Sequence, residues 1–261
     1  MLRTQFYDDK VMDFITRVIP QHPDTICAEV DKILAKAQAN DEIFRCILIS
    51  VFNHFVSSKV IVHENVWVHL ADKWYIPFAK WSGDDYIEKL RKEVTDRKPN
   101  LIGNFAPPIE KLMVLSPEHF KAAALDTAIK FDVHVGKEIQ DFRKELKSKY
   151  TVLYFWDYSC SHCKQGIQEL YQAWEELKDD GLQVITVQIV NTREAKGKWI
   201  ELVNEYNMFG WINAWAPYTW EHRELYIGAK GVPRMYLLDE NSMIILKDIV
   251  PEQLKDIIAQ R

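Results

Sequence analysis

Glycine and proline are scarce in this chain of 261 residues, at nine and ten, which excludes a collagen-like or linker-dominated protein. The nine glycines include no G-x-x-x-x-G-K-[ST] pattern, so no phosphate-cradling loop of that kind is present. Neither charge sign dominates: 33 Lys and Arg stand against 38 Asp and Glu, for a net charge of −5. With no long run of like charges, no nucleic-acid partner is expected. No apolar run approaches the roughly 18 residues of a membrane-spanning helix; the stretch 46–56 is broken by Ser50, Asn53 and His54. No membrane span is expected. The first ten residues lack the basic start and apolar middle of an export signal. The protein is therefore either cytosolic or one whose leader has been removed.

The composition is that of a folded protein, 48% apolar with 9 Trp, 11 Tyr and 12 Phe. Its length suits one large domain or two small ones. Up to about residue 96 the apolar positions recur at helical spacing. Ile26, Val30, Ile33, Leu34 and Ala37 follow Pro23-Asp24; Ile43, Phe44, Ile47, Leu48, Val51, Phe52 and Phe55 follow Asp41. Further helices are predicted over 64–76 and 84–96, so residues 1–98 read as an all-helical domain. Pro99, Gly103, Pro107, Pro108 and Pro117 then mark a boundary. In 99–261 the pattern predicts a helix at 137–148, a strand at 151–156, a helix at 161–178, a strand at 182–190 and a helix at 194–206. Short strands at 234–238 and 243–247 and a helix at 251–260 follow. Apolar strands alternating with helices imply a central sheet covered by helices.

Only one pair of cysteines has a chemically telling spacing. Cys160-Ser161-His162-Cys163 follows the strand and opens an amphipathic helix bearing Ile167, Leu170, Tyr171, Trp174 and Leu177. A helix N-terminus favours an anion, and the thiolate is the reactive form of cysteine. His162, inside the first turn, adds to this when protonated. Cys163, one turn on, can close a disulfide with Cys160 or resolve a mixed one. A static disulfide or half a zinc site are the bland alternatives; zinc needs two more ligands, and Cys27 and Cys46 lie in the helical region without C-x-x-C spacing. Those two read as inert thiols on apolar helix faces. His63-Glu64 is no metalloprotease motif, because Trp67 stands where the second histidine belongs. No metal and no other cofactor is expected.

These residues resemble the TlpA/ResA-like thiol–disulfide oxidoreductases of the bacterial envelope, which have a thioredoxin-like fold. The resemblance covers about 99–261 and rests on Leu101-Ile102-Gly103-Asn104-Phe105-Ala106-Pro107, on Val152-Leu153-Tyr154-Phe155-Trp156-Asp157 before the dithiol, and on Gly231-Val232-Pro233. It implies an α/β thioredoxin-like domain, a central mixed sheet flanked by helices, preceded by an all-α domain. It also implies a cis bond before Pro233, which would face Cys160, with the Val232 backbone pairing an extended substrate. Trp156 and Arg234 are expected on the substrate side with them. Arg234 replaces a common threonine, so it is either a positive charge at the cleft or a solvated surface residue. Other departures are Ser159 for a tryptophan, Gln168 for a kinking proline and Gly166 for a glutamate that accepts a proton. Tyr154, at the buried position six before Cys160, supplies no acid, which leaves Glu169 and Asp157 as weak substitutes.

The resemblance implies a protein-disulfide reductase outside the cytoplasm, acting on protein thiols and disulfides and recharged by an upstream protein reductant. On that reading the native chain carries a leader not present before Met1. His162 argues for the opposite direction, because a stabilised thiolate makes a dithiol more oxidising. The rival reading is a redox-inactive module of the same fold that binds a peptide or partner. The aromatic segment 209–220, with Trp211, Trp215, Tyr218 and Trp220, is either a rim for such a peptide or core packing.

Overall fold

Helix α1 (Leu2–Asp13) runs into a π-helical turn at Phe14–Val18. Pro23, whose missing N–H costs nothing at a helix start, opens α2 (Pro23–Ala37), which buries Ile26, Val30 and Leu34 along one face. Asn40 caps α3 (Asp41–Val56), its side-chain oxygen accepting from the amides of Glu42 and Ile43 at 3.1 and 3.0 Å. α4 (His63–Leu70), a π turn at Ala71–Tyr75 and α5 (Ile76–Phe78) form one helical run. The widened turn lies where the sequence predicts plain helix, and Trp74 and Tyr75 within it are both buried. Asp31 ties α2 to this run, accepting from His69 Nε2 at 2.9 Å, Lys73 Nζ at 2.7 Å and Trp74 Nε1 at 2.6 Å. Burial alone would raise the Asp31 pKa; the three donors outweigh it and hold the carboxyl below its ordinary value. α6 (Asp84–Arg97) packs Leu90 and Val94 inward, and its Arg97 pairs with Glu64 at 2.6 Å. Cys27 and Cys46 are free and half-buried. Burial, then Asp31, pushes the Cys27 thiol up to about 12, and burial also raises that of Cys46.

This computed structural model describes residues 2–131, 136–216, 223–228 and 231–260. The chain divides into two compact units, Met1–Leu101 and Ile102–Arg261. The second contains β1 (Leu112–Val114), α7 (Pro117–Leu125), α8 (Thr127–Phe131), β2 (Lys137–Ile139), β3 (Tyr150–Trp156), α9 (Ser161–Leu177) and β4 (Leu182–Gln188). There follow α10 (Arg193–Glu205), β5 (Ile212–Trp215), β6 (Arg234–Asp239), β7 (Ile244–Lys247) and α11 (Leu254–Ala259). The strands form one mixed sheet in the order β2-β1-β5-β4-β3-β6-β7. β3 lies between parallel β4 and antiparallel β6, and all seven of its residues are buried. A strand covered on both faces has no solvent side, hence its nearly unbroken apolar sequence.

Alternation along the strands sorts the two faces. Leu153, Phe155, Ile185, Val187, Ala214, Tyr236 and Leu238 share one face, where Ala106, Ile109, Phe142 and Tyr226 cover them. Tyr154 points the other way, its hydroxyl meeting α9, and Lys196 of α10 lies over the Trp215 ring at 5.5 Å. The sheet thus has helices on one face; short helical turns at Phe142–Glu145 and Arg223–Ile227 supply Phe142 and Tyr226 to the other.

Residues 137–148 are not the predicted helix. Gly136, at φ +127, brings Lys137–Ile139 alongside β1, and a Cβ there would lie 3.0 Å from the Val114 carbonyl. Asp141 then caps the turn, accepting from the Arg143 amide at 3.0 Å and holding its guanidinium in a two-pronged pair. Strand pairing to a distant segment overrides a local helical preference. In the aromatic segment, Trp211 is buried against Tyr171 and Trp174, and Trp215 donates to the Val190 carbonyl at 2.8 Å. Both are core residues. Tyr218 and Trp220 lie outside the described residues.

Candidate active site

The junction between β3 and α9 is built by Asp157. Its carboxylate accepts from the Ser159 amide and hydroxyl, each at 2.8 Å, and its carbonyl accepts from the Cys160 amide at 3.1 Å. This turn leaves Cys160 as the N-cap of α9, where Cys163 N–H donates to Cys160 Sγ at 3.2 Å. Sulfur thus occupies the place that a serine or aspartate oxygen usually takes at a helix start, satisfying one of the otherwise orphaned amides. Cys160 is half-exposed, whereas Cys163 is 0% exposed. Burial, then the hydrogen bond with Cys160, pushes the Cys163 thiol well up. Both are free thiols.

From the far side the Val232 carbonyl approaches Cys160 Sγ to 4.0 Å. The Val232–Pro233 bond is cis, and Pro233 is exposed. His162 is exposed on the first turn of α9. The structure therefore brings together Cys160, Cys163, Val232 and Pro233, with His162 at their edge.

Two expected members of the substrate side are elsewhere. Trp156, at the end of β3, is 0% exposed and so cannot touch a substrate. Arg234 is 8% exposed, neither at the cleft nor on the surface. It pairs with Phe155 across β3 and β6 and so points to the face opposite Tyr154 and α9. There it forms an ion pair with Asp248 and donates from Nε to the Tyr226 carbonyl at 3.3 Å and from Nη2 to the Tyr236 hydroxyl at 3.2 Å. Asp248 and Tyr226 carry no signal in the sequence, since no spacing connects them to the cysteines. Tyr154 and Gly166, two separate departures in the sequence, meet in the structure: the Tyr154 hydroxyl donates to the Cys163 carbonyl at 3.2 Å and lies against Gly166.

Among the described residues no three His, Cys, Asp or Glu side chains converge as a metal site, and no helix is long and apolar enough to cross a membrane.

A mixed sheet whose central strand feeds a C-x-x-C helix, with a cis-proline loop set against the first cysteine, defines a thioredoxin-like fold. A solved thioredoxin-like protein from Bacteroides caccae shares that fold, with a TM-score of 0.63 and 16% identity over 100% of this chain and 84% of that one. Residues 124–218 match the AhpC/TSA family. The chain is also similar to a domain of a possible thiol-disulfide isomerase from Cytophaga hutchinsonii, at 28% identity over 62% of this chain and 93% of that one, TM-score 0.47. No curated protein matches its sequence.

The exposures rank the thiols. Alkylation of the reduced protein, followed by peptide mass mapping, should label Cys160 at least about tenfold faster than Cys163, because reaction needs an accessible thiolate. Equal rates would remove the distinction between the two sulfurs.

Proposed function

We propose that the chain is a thiol–disulfide oxidoreductase that reduces protein disulfides. The observation that carries this reading is the asymmetry of the dithiol: Cys160 caps α9 and is accessible, while Cys163 is buried one turn away with its amide on the Cys160 sulfur. In the forward cycle the Cys160 thiolate attacks a substrate disulfide, forming the Cys160–substrate bond and releasing one substrate thiolate, which takes up a proton. Cys163 then loses its proton and attacks Cys160; the Cys160–Cys163 bond forms and the second substrate sulfur leaves as a thiol. Two electrons pass to the substrate, and an external protein dithiol returns the enzyme to its reduced form. Val232 offers its main chain beside Cys160, where an extended peptide can pair. His162, exposed beside this path, tunes the poise of the dithiol rather than transferring atoms. The resemblance to envelope oxidoreductases extends the proposal to a location outside the cytoplasm, where substrate disulfides persist.

The test uses intact insulin-type protein disulfides as substrate, with an added dithiol as reductant, and a Cys163→Ser variant as trap. The expected result is catalysed reduction by the parent and, with the variant, a substrate covalently held on Cys160 and released by added dithiol. A parent without turnover and a variant that traps nothing would overturn the reading. Peptide binding by such an inactive chain would then favour the redox-inactive module.

A further inference from the structure

Resolution of the mixed disulfide depends on a thiol that is wholly buried and reluctant to ionise. Besides Cys160, the backbone of Asp157 pulls the Cys163 thiol down and its carboxylate pushes it up. Beneath the first turn of α9 stands one more polar atom, the hydroxyl of Tyr154, which is 2% exposed and donates to the Cys163 carbonyl at 3.2 Å. Its seat requires a helix position without a side chain. A Cβ on Gly166 would fall 2.4 Å from that oxygen, whereas the ring carbon Cζ would be 3.4 Å away. Glycine inside a helix is less favourable than alanine, and its presence one turn after the dithiol has a local steric reason. Tyr154 and Gly166 form an interlocking pair.

We propose that Tyr154, seated over Gly166 and bonded to the Cys163 peptide, is a positioning residue that holds the resolving thiol in line with the Cys160 mixed disulfide. The inference rests on the oxidoreductase reading and deepens it by separating the two half-reactions. The first, attack by exposed Cys160, makes no demand on Tyr154. The second does, because Cys163 sulfur must approach Cys160 along the axis of the bond to be broken. Tyr154 takes no proton in this step. Burial, then Cys163, Cys160 and Glu169, hold its phenol protonated well past its ordinary range, so it remains a donor while the Cys163 proton leaves with the departing substrate thiol.

The experiment is rapid-quench analysis of the full chain with a disulfide-bonded peptide, following free enzyme, mixed disulfide and oxidised enzyme by mass. Tyr154→Phe should form the mixed disulfide within twofold of the parent rate and resolve it about tenfold more slowly. Gly166→Ala, which displaces the hydroxyl from the other side, should show the same split. Tyr154→Phe with Gly166→Ser returns a hydroxyl from the helix and should recover at least threefold of the lost resolution rate. Unchanged resolution in Tyr154→Phe, or proportional slowing of both steps with no recovery by the serine, would overturn the proposal while leaving the oxidoreductase reading intact. A parent that forms no mixed disulfide would overturn both.

Discussion

Replacing Cys160 by serine is expected to bring disulfide exchange down to the uncatalysed background, a loss on the order of a thousandfold or more, as for other removed nucleophiles. The hydroxyl that replaces the thiol is not ionised near neutral pH, and the thiolate is the attacking form. The same substitution should leave the fold intact. Cys160 is the N-cap of α9, and serine is among the preferred residues there, with an oxygen able to accept from Cys163 N–H as the sulfur does. Thermal stability should therefore be unchanged, or rise by up to about 1 kcal/mol. Cys163→Ser should behave in the opposite way. It places a hydroxyl where the native side chain is 0% exposed, at a cost of about 1–3 kcal/mol if that group finds no partner, yet it retains the first attack. Insulin reduction and urea melts on both variants check the pair of outcomes. A folded Cys160→Ser that retained exchange would show that Cys160 is not the nucleophile, and one that unfolded would show that serine does not replace the sulfur as the cap of α9.

The dithiol and its setting were legible because they depend on short-range order. An apolar strand, a turn and an amphipathic helix follow one another over 151–177, and each announces itself by composition. The helical unit was legible for the same reason: Ile26, Val30 and Leu34 lie on one face as their spacing requires. What failed depends on partners far along the chain. Lys137–Ile139 is a strand only because Leu112–Val114 lies beside it, and Leu112–Val114 was itself unpredicted, being three residues within a proline-rich stretch. Ile212–Trp215 was hidden among tryptophans that read as either a peptide rim or core packing, although its pairing with β4 places Asn213 against Thr186 at 3.0 Å.

Neighbours in sequence also misled. Arg234 follows Pro233 and was assigned to the same cleft, but β6 begins at Arg234 and successive strand residues point to opposite faces. Trp156 was expected on the substrate side with Val232 and Pro233, yet it is completely buried. Tyr154 and Gly166 show the converse. Each alone was an anomaly, and only the packing of α9 on β3 makes the phenol the reason for the glycine.

Arg234→Met is expected to destabilise the protein by about 3–5 kcal/mol, the range for a buried ion pair that loses one member. The guanidinium is 9% exposed and its partner Asp248 21%, so solvent can do little to replace the lost pairing. The loss spreads beyond Asp248. Arg234 and the Tyr236 hydroxyl both donate to the Tyr226 carbonyl, at 3.3 and 2.5 Å, while the Tyr226 hydroxyl donates to the Pro107 carbonyl and its ring stacks on Phe155 at 4.9 Å. The guanidinium thereby fastens the turn Arg223–Ile227 to the sheet. Arg234→Lys should recover little, because a single ammonium cannot serve Asp248, Tyr226 and Tyr236 from one planar fork. Arg234→Met combined with Asp248→Asn should be more stable than Arg234→Met alone, since no carboxylate is then left without its guanidinium. Denaturant unfolding of the parent and the three variants measures these differences. The alkylation rate of Cys160 in the folded variants separates this structural role from an electrostatic one. A charge at the cleft that stabilised the thiolate would slow alkylation several-fold when removed; a charge on the opposite face of the sheet should leave it within twofold. Slowed alkylation without loss of stability would return Arg234 to the cleft.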